Sequence, residues 1–421
     1  MPTNSSSSPD VLVIGGGVIG CGIALRLAMA HLRVVVIERG EPGGEASSAA
    51  AGMIAPQGEA TGFDAFFDLC RASRDLYPSF VAEVEDLAGL APGGIGYHHE
   101  GALLLAADEN QQAELDKIYH AQAGHGLPLE RLAPEEVHHR VRGLSPHITG
   151  GLFVPGDHWL DNERLASALA LAGRRVGVTF HTHTAVTRLV QRGDHPGKIE
   201  SAEISVSGGA EGKSASAGSI VQSGVPFGRS SGLSAGCFIL AAGSWSSQLA
   251  TSFSVDLPMQ PCRGQMIEFE PDEADRKLPL VVRAGHHYMV PHATRILAGT
   301  TAEYVGFDKA VTGEGLRSIL EGVGRIAPLV GGLRFRRAWA GLRPDTADHR
   351  PILGYGSVSN LIFATGHFRN GILLAPITAQ LISELVLTGS SSVSLDPYGP
   401  GRFAPASAVA AASSQPTSST G

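Results

Sequence analysis

Val11-Leu12-Val13-Ile14-Gly15-Gly16-Gly17-Val18-Ile19-Gly20 is the stretch that decides the fold of this chain. The apolar run from Val11 to Ile14 predicts a buried strand of the parallel-sheet kind. Gly15-x-Gly17-x-x-Gly20 follows without a gap, and Ile23, Ala24, Leu25, Leu27 and Ala28 then form an apolar helical face. Each glycine has a steric task. Gly15 permits a tight turn, Gly17 lets phosphates approach the backbone around Val18 and Ile19, and Gly20 lets the helix lie close on the strand. Phosphates placed there meet a helix N-terminus, whose free N–H groups and dipole favour negative charge. A second strand, Val34 to Ile37, ends in Glu38, eighteen residues after Gly20 and followed by Arg39. An acid at that point binds ribose hydroxyls and argues against a 2′-phosphate.

A second segment lies more than 300 residues downstream: Ala364-Thr365-Gly366-His367-Phe368-Arg369-Asn370-Gly371-Ile372-Leu373-Leu374-Ala375-Pro376. It reads as backbone passing over a flavin ring and opening a helix near Gly371, whose positive end faces the ring edge where negative charge gathers on reduction. Pro376 falls within the first turns, where proline is tolerated. A nicotinamide enzyme needs only the glycine-rich turn, so the two segments together imply noncovalent FAD. Between them, Gly43-Gly44-Glu45-Ala46-Ser47-Ser48-Ala49-Ala50-Ala51-Gly52-Met53 is either a flexible loop or a run along the cofactor, with Ser47 and Ser48 reaching the pyrophosphate. Its position straight after Glu38 favours the second reading.

At 421 residues two domains are the expectation, and 43% hydrophobic with 17% charged residues describes a globular chain. A net charge of −8 argues against nucleic-acid or anionic-membrane partners. Cys21, Cys70, Cys237 and Cys262 show no CxxC spacing, hence no disulfide framework, zinc site or covalent flavin link is expected. No apolar run reaches membrane length, and the serine-rich start lacks the regions of a signal peptide, so a cytoplasmic protein is expected.

The alternation of elements predicts an α/β fold. A discontinuous Rossmann-type FAD-binding domain would take residues 10–90, 157–255 and 340–395. A second, mostly antiparallel α+β substrate domain would take 91–156 and 256–339. Residues 1–9 and 404–421 read as disordered tails, and 207–236 as a low-complexity insertion making a mobile hairpin excursion. Helices are expected near 109–123, 163–175, 314–326 and 371–387. Strands are expected near 101–106, 151–154, 176–180, 238–243, 265–270, 288–291, 296–299 and 361–364.

Near where the two domains should meet, Ala340-Gly341-Leu342-Arg343-Pro344 holds an arginine able to clamp a carboxylate bidentately, the alternative being a structural salt bridge. Gly285-His286-His287-Tyr288 puts His286 and Tyr288 on one strand face, as pocket residues or as ordinary half-buried side chains. Adjacent histidines on a strand point to opposite faces, so no metal site is expected.

At these residues the sequence resembles the D-amino acid oxidase family, and most closely its glycine oxidases of thiamine biosynthesis. The resemblance rests on Gly15 to Gly20, Ser47 to Met53, Phe238 to Trp245, Trp339 to Pro344 and Gly366 to Pro376, and excludes the 207–236 insertion. It implies an amino acid bound against the flavin and oxygen as electron acceptor. Arg343 and Tyr288 would hold the substrate carboxylate, and Arg369, or its carbonyl, would sit beside the amine. Ala51, Gly52 and Met53 would pass close to the flavin, and Val186, Gly243 and Trp245 would contact the cofactor together with residues 367–373. The implied reaction is hydride transfer from the α-carbon to flavin N5, giving an imine, then hydrogen peroxide. No residue stands out as a dedicated catalytic base. The imine would hydrolyse or pass to thiazole formation, with a thiazole synthase as partner, and a homo-oligomer is expected. Three alternatives stay open: an oxidase of sarcosine or D-amino acids, a dehydrogenase of the same fold, and a non-catalytic FAD-binding protein.

Overall fold

Val11–Ile14, buried along its whole length, lies inside a six-stranded sheet. The order is Ile352–Tyr355, Leu361–Thr365, Cys237–Leu240, Val11–Ile14, Val34–Ile37 and Thr179–His181. Every neighbouring pair is parallel except the first. A computed structural model describes residues 8–193, 195–206, 231–271 and 278–403. The strands are almost wholly apolar because both faces are covered, one by helices and the other largely by the antiparallel strands Thr184–Arg192 and His195–Val206. Helix Val18–Met29 packs against Ala375–Thr388 and Asn162–Arg175, which in turn meets Ala65–Ala88. The close helix contact depends on Gly22, where a Cβ would stand 3.3 Å from that of Ala379.

A second sheet has eight strands, in the order Arg334–Thr346, Met259–Glu270, Ile296–Gly299, His287–Pro291, Val281–Ala284, Ala102–Ala106, Gly150–Val154 and Glu130–Leu132. Only Val281–Ala284 and Ala102–Ala106 run parallel. Helix Gly313–Ile326 covers it with Ile319, Val323 and Ile326, an i, i+4, i+7 stripe. Each large sheet carries its own apolar core.

The structure differs from the sequence reading in particular places. The expected boundary at 339/340 falls inside one strand, Arg334–Thr346, which hydrogen-bonds along Met259–Glu270. Extended structure expected over 176–180 is confined to Thr179–His181, because Val176 caps the preceding helix and Gly177, at φ 100°, turns the chain. Of the insertion, Ser231–Leu233 pairs with His195–Val206. Residues 207–230, like 1–7 and 404–421 of the expected tails, lie outside the described residues. Among the described residues, no helix is long and apolar enough to cross a membrane.

Candidate functional site

A cavity of about 510 Å³ opens where the carboxyl ends of the parallel strands meet the antiparallel sheet, the usual ligand position in open α/β sheets. Its lining runs from Ile14, Ile37 and Ala241 to Met266, Tyr288 and Arg343. The glycine turn is built for close approach. Gly15 has φ +107°, and a Cβ there would lie 2.4 Å from the Ala241 carbonyl oxygen. A Cβ on Gly20 would lie 1.9 Å from the Gly15 oxygen, so Gly20 serves the helix–strand contact and does not itself line the cavity.

Gly17 begins the first helix, whose first turn holds no acid and whose start has no cap from Gly17 itself. Instead the Val18 N–H donates to Ser47 Oγ at 3.1 Å. A neutral oxygen thus marks a position that suits an anionic phosphate oxygen. Ser48 turns away, its hydroxyl donating to the Gly43 carbonyl at 2.6 Å. Asn162 Nδ2 holds this loop by donating to the carbonyls of Ser47 and Ser48 at 2.8 and 3.0 Å. At Gly52, φ is +82° and a Cβ would lie 1.9 Å from the Leu160 oxygen, so no other residue fits where Ala51, Gly52 and Met53 border the cavity.

Glu38 lines the same end, its carboxylate accepting from the N–H groups of Gly16 and Gly40, both at 2.8 Å. Arg39 lies over the Trp245 ring, 3.3 Å from its centroid, and Val186 and Gly243 border the cavity beside them. Cβ-free backbone, a helix start met only by a neutral hydroxyl and a strand-end acid are what a dinucleotide needs, so these residues fit FAD.

The segment after Leu361–Thr365 turns sharply. Gly366 and Phe368 take φ of +74° and +48°, and the Phe368 N–H donates to the Pro344 carbonyl at 3.0 Å. This bond ties the segment to the strand carrying Arg343. His367 is buried against Thr378 at 3.1 Å, and burial pushes its imidazole down to about 3, so it is neutral. The helix expected from Gly371 starts instead at Ala375. Pro376 has no N–H to offer the Ile372 carbonyl, and that carbonyl accepts from Tyr77 Oη, while the Leu373 carbonyl accepts from Ser73 Oγ at 2.6 Å. The 371–374 turn is thus fastened from the Ala65–Ala88 helix. His367, Phe368, Arg369, Gly371 and Ile372 line the cavity, whereas Asn370 and Leu373 do not.

At the opposite end of the cavity, Arg343 is half-buried, with Nη1 donating to the Thr301 carbonyl at 3.1 Å and Nη2 to Thr300 Oγ1 at 2.8 Å. Gly264 makes room for it, since a Cβ there would come within 2.3 Å of the guanidinium. Among the described residues Arg343 has no carboxylate partner. Tyr288 is 4% exposed, and its hydroxyl donates to the Met266 sulfur at 3.4 Å. Burial pushes that hydroxyl up, so it stays protonated and able to donate. Arg369 lines the cavity and is paired with Glu59 at 2.7 Å. His286 does not belong here. The strand starts one residue later, at His287, and His286 is exposed in the preceding turn.

Sequence reasoning missed Glu59, Met266, Gly264 and the Thr300–Thr301 pair. None sits in a motif, and each reaches the site through pairing of strands or loops distant in sequence.

The family described as FAD dependent oxidoreductase (DAO) matches residues 10–385. A glycine oxidase of Pseudomonas aeruginosa is 31% identical over 93% of this chain and 99% of its own length. A bifunctional ThiO/ThiG protein of Trichormus variabilis is 34% identical over 94% of this chain and 55% of its own. The chain therefore spans about half the length of that relative. The crystal structure of glycine oxidase from Geobacillus kaustophilus superposes with a TM-score of 0.82 at 29% identity, covering 94% of this chain and 99% of that one.

Proposed function

The chain belongs to the family of FAD-dependent oxidoreductases, and from that premise we propose that it oxidises glycine, and similar small amines such as sarcosine or small D-amino acids, with oxygen as acceptor. Glycine, oxygen and water would give glyoxylate, ammonia and hydrogen peroxide. The observation that carries the reading is Arg343, a guanidinium without an acidic partner among the described residues, in one cavity with the Gly15–Gly17 cradle. Bound FAD supplies the acceptor for the hydrogen and electron pair of the substrate C–H bond and returns the electrons to oxygen.

The chain's own residues orient the substrate. Arg343 pairs with the carboxylate, and Tyr288 donates its hydroxyl to the same group, exchanging a weak sulfur acceptor for a charged one. Arg369, or its carbonyl, sits beside the amine. The substrate ammonium must lose a proton before hydride can leave. Glu59 is held by Arg369, and His367 is neutral and bonded to Thr378. Neither is a ready base, which supports a reaction driven mainly by orientation. The proposal extends to the product, an imine available to a thiazole synthase.

The test is an anaerobic titration of the purified protein with glycine, followed by air. Bleaching of the flavin spectrum, recovery in air and release of peroxide are expected. A flavin that glycine, sarcosine and D-alanine all leave unbleached would refute the activity.

A further inference from the structure

Three charged groups, Arg343, Arg369 and Glu59, line the same cavity as Tyr288. Two are cations, yet only one is uncompensated. Arg369 Nη2 donates to Glu59 Oε1 at 2.7 Å, and Glu59 is its only ion-pair partner among the described residues. Arg283 stands behind that carboxylate at 3.4 Å, but its shorter bonds go to the carbonyls of Gly58 and Gly285, at 2.8 and 2.9 Å.

Glu59 is held in place by a buried polar network with no other evident task. The Asp157 carboxylate, 1% exposed, accepts from the N–H groups of Gln57 and Gly58 at 3.1 and 2.7 Å. Gln57 Nε2 donates to Gln122 Oε1 at 3.0 Å and to the Pro128 carbonyl at 3.2 Å. Gln122 Nε2 donates back to the Gln57 carbonyl at 2.9 Å. Burying so many polar groups is costly unless all are paired, and here they fix the two residues immediately before Glu59.

We propose that Glu59 determines the charge of the accepted substrate: by engaging Arg369 it leaves the cavity with one free guanidinium, matched to one carboxylate, and excludes amines that carry a second. This rests on the amino acid oxidase reading. Removing the carboxylate frees Arg369 to pair with a second anionic group, a selection made by an opposing charge more than by fit.

The test compares sarcosine with iminodiacetate, its analogue with a second carboxylate on the methyl carbon. In the holoenzyme E59Q variant, the ratio of kcat/KM for iminodiacetate to that for sarcosine should rise at least tenfold, while E59D keeps the wild-type ratio. A ratio within threefold of wild type, with both substrates impaired alike, would reduce Glu59 to a structural residue and overturn the proposal. A second readout needs no variant and no turnover. In the wild-type holoenzyme, perturbation of the flavin spectrum should show malonate binding no tighter than acetate, and malonate binding tenfold tighter would overturn the proposal as well. If sarcosine and glycine fail to bleach the wild-type flavin, it is the oxidase reading that fails, and the acetate–malonate comparison still decides the charge selectivity.

Discussion

Replacing Arg343 with alanine tests the substrate end most directly. Its guanidinium spends two donors on neutral acceptors, the Thr301 carbonyl at 3.1 Å and the Thr300 hydroxyl at 2.8 Å. An arginine carries five N–H donors in a planar fork, so the remainder and the whole charge are available to an incoming carboxylate. Losing one partner of a buried charge pair costs about 2–5 kcal/mol. Arg343 is only half-buried, which places the expected loss in the lower part of that range. About 2–3 kcal/mol corresponds to a rise in KM for glycine of roughly 30- to 150-fold. The fold should tolerate the change. The Thr300 hydroxyl still has the Gln265 carbonyl at 3.1 Å, and Gly264 beside the vacated space has no side chain to lose support. Arg343→Lys should fall between, since it keeps the charge and loses the fork. The assay is steady-state peroxide release against glycine concentration, with flavin content and melting temperature measured on the same samples. A KM within threefold of wild type in a variant that retains flavin would remove Arg343 from the substrate site.

Further consequences concern pH and backbone. kcat/KM for glycine should climb from neutral to alkaline pH as the amine deprotonates, without a fall at the ordinary tyrosine range, because burial holds the Tyr288 proton beyond it; a flat profile would contradict the amine requirement. Burial pushes the Asp157 carboxyl up to about 7, so the folded chain binds that proton more tightly than the unfolded chain. The contribution of this group to stability should therefore be full in acid and decline as pH rises through the interval up to about 7. Melting curves of Asp157→Asn should lack that decline, and curves parallel to wild type would show the reasoning wrong. Gly52→Ala should cost at least about 1–3 kcal/mol from its left-handed backbone alone, with the overlap at the Leu160 oxygen added. A variant with unchanged melting temperature and flavin content would mean that the loop relaxes freely.

How much of the site was legible depended on whether a residue's task was local. Gly15, Gly17 and Gly20 announce themselves because a strand, a turn and a helix follow one another within a few residues, and the structure keeps that order. The block from Gly366 was legible for the same reason. Its helix start was misread because the carbonyls of Ile372 and Leu373 are taken by Tyr77 and Ser73, about 300 positions away. His286 was misread because a one-residue shift in the strand's start moves a side chain off the expected face and into the turn.

By itself, then, the sequence determined the dinucleotide fold and the flavin as its occupant, since these follow from contiguous patterns of glycine and apolar residues, while Arg343 and Tyr288 came from it only as candidates carried by a resemblance. Only the tertiary structure decided which charges meet. Glu59 faces Arg369 across 310 residues of chain, and Thr300 steadies Arg343 across 43. Electrostatic pairing depends on distance in space, falling off over a few ångströms, and nothing in the linear order of residues records that distance until the two sheets have closed around the cavity.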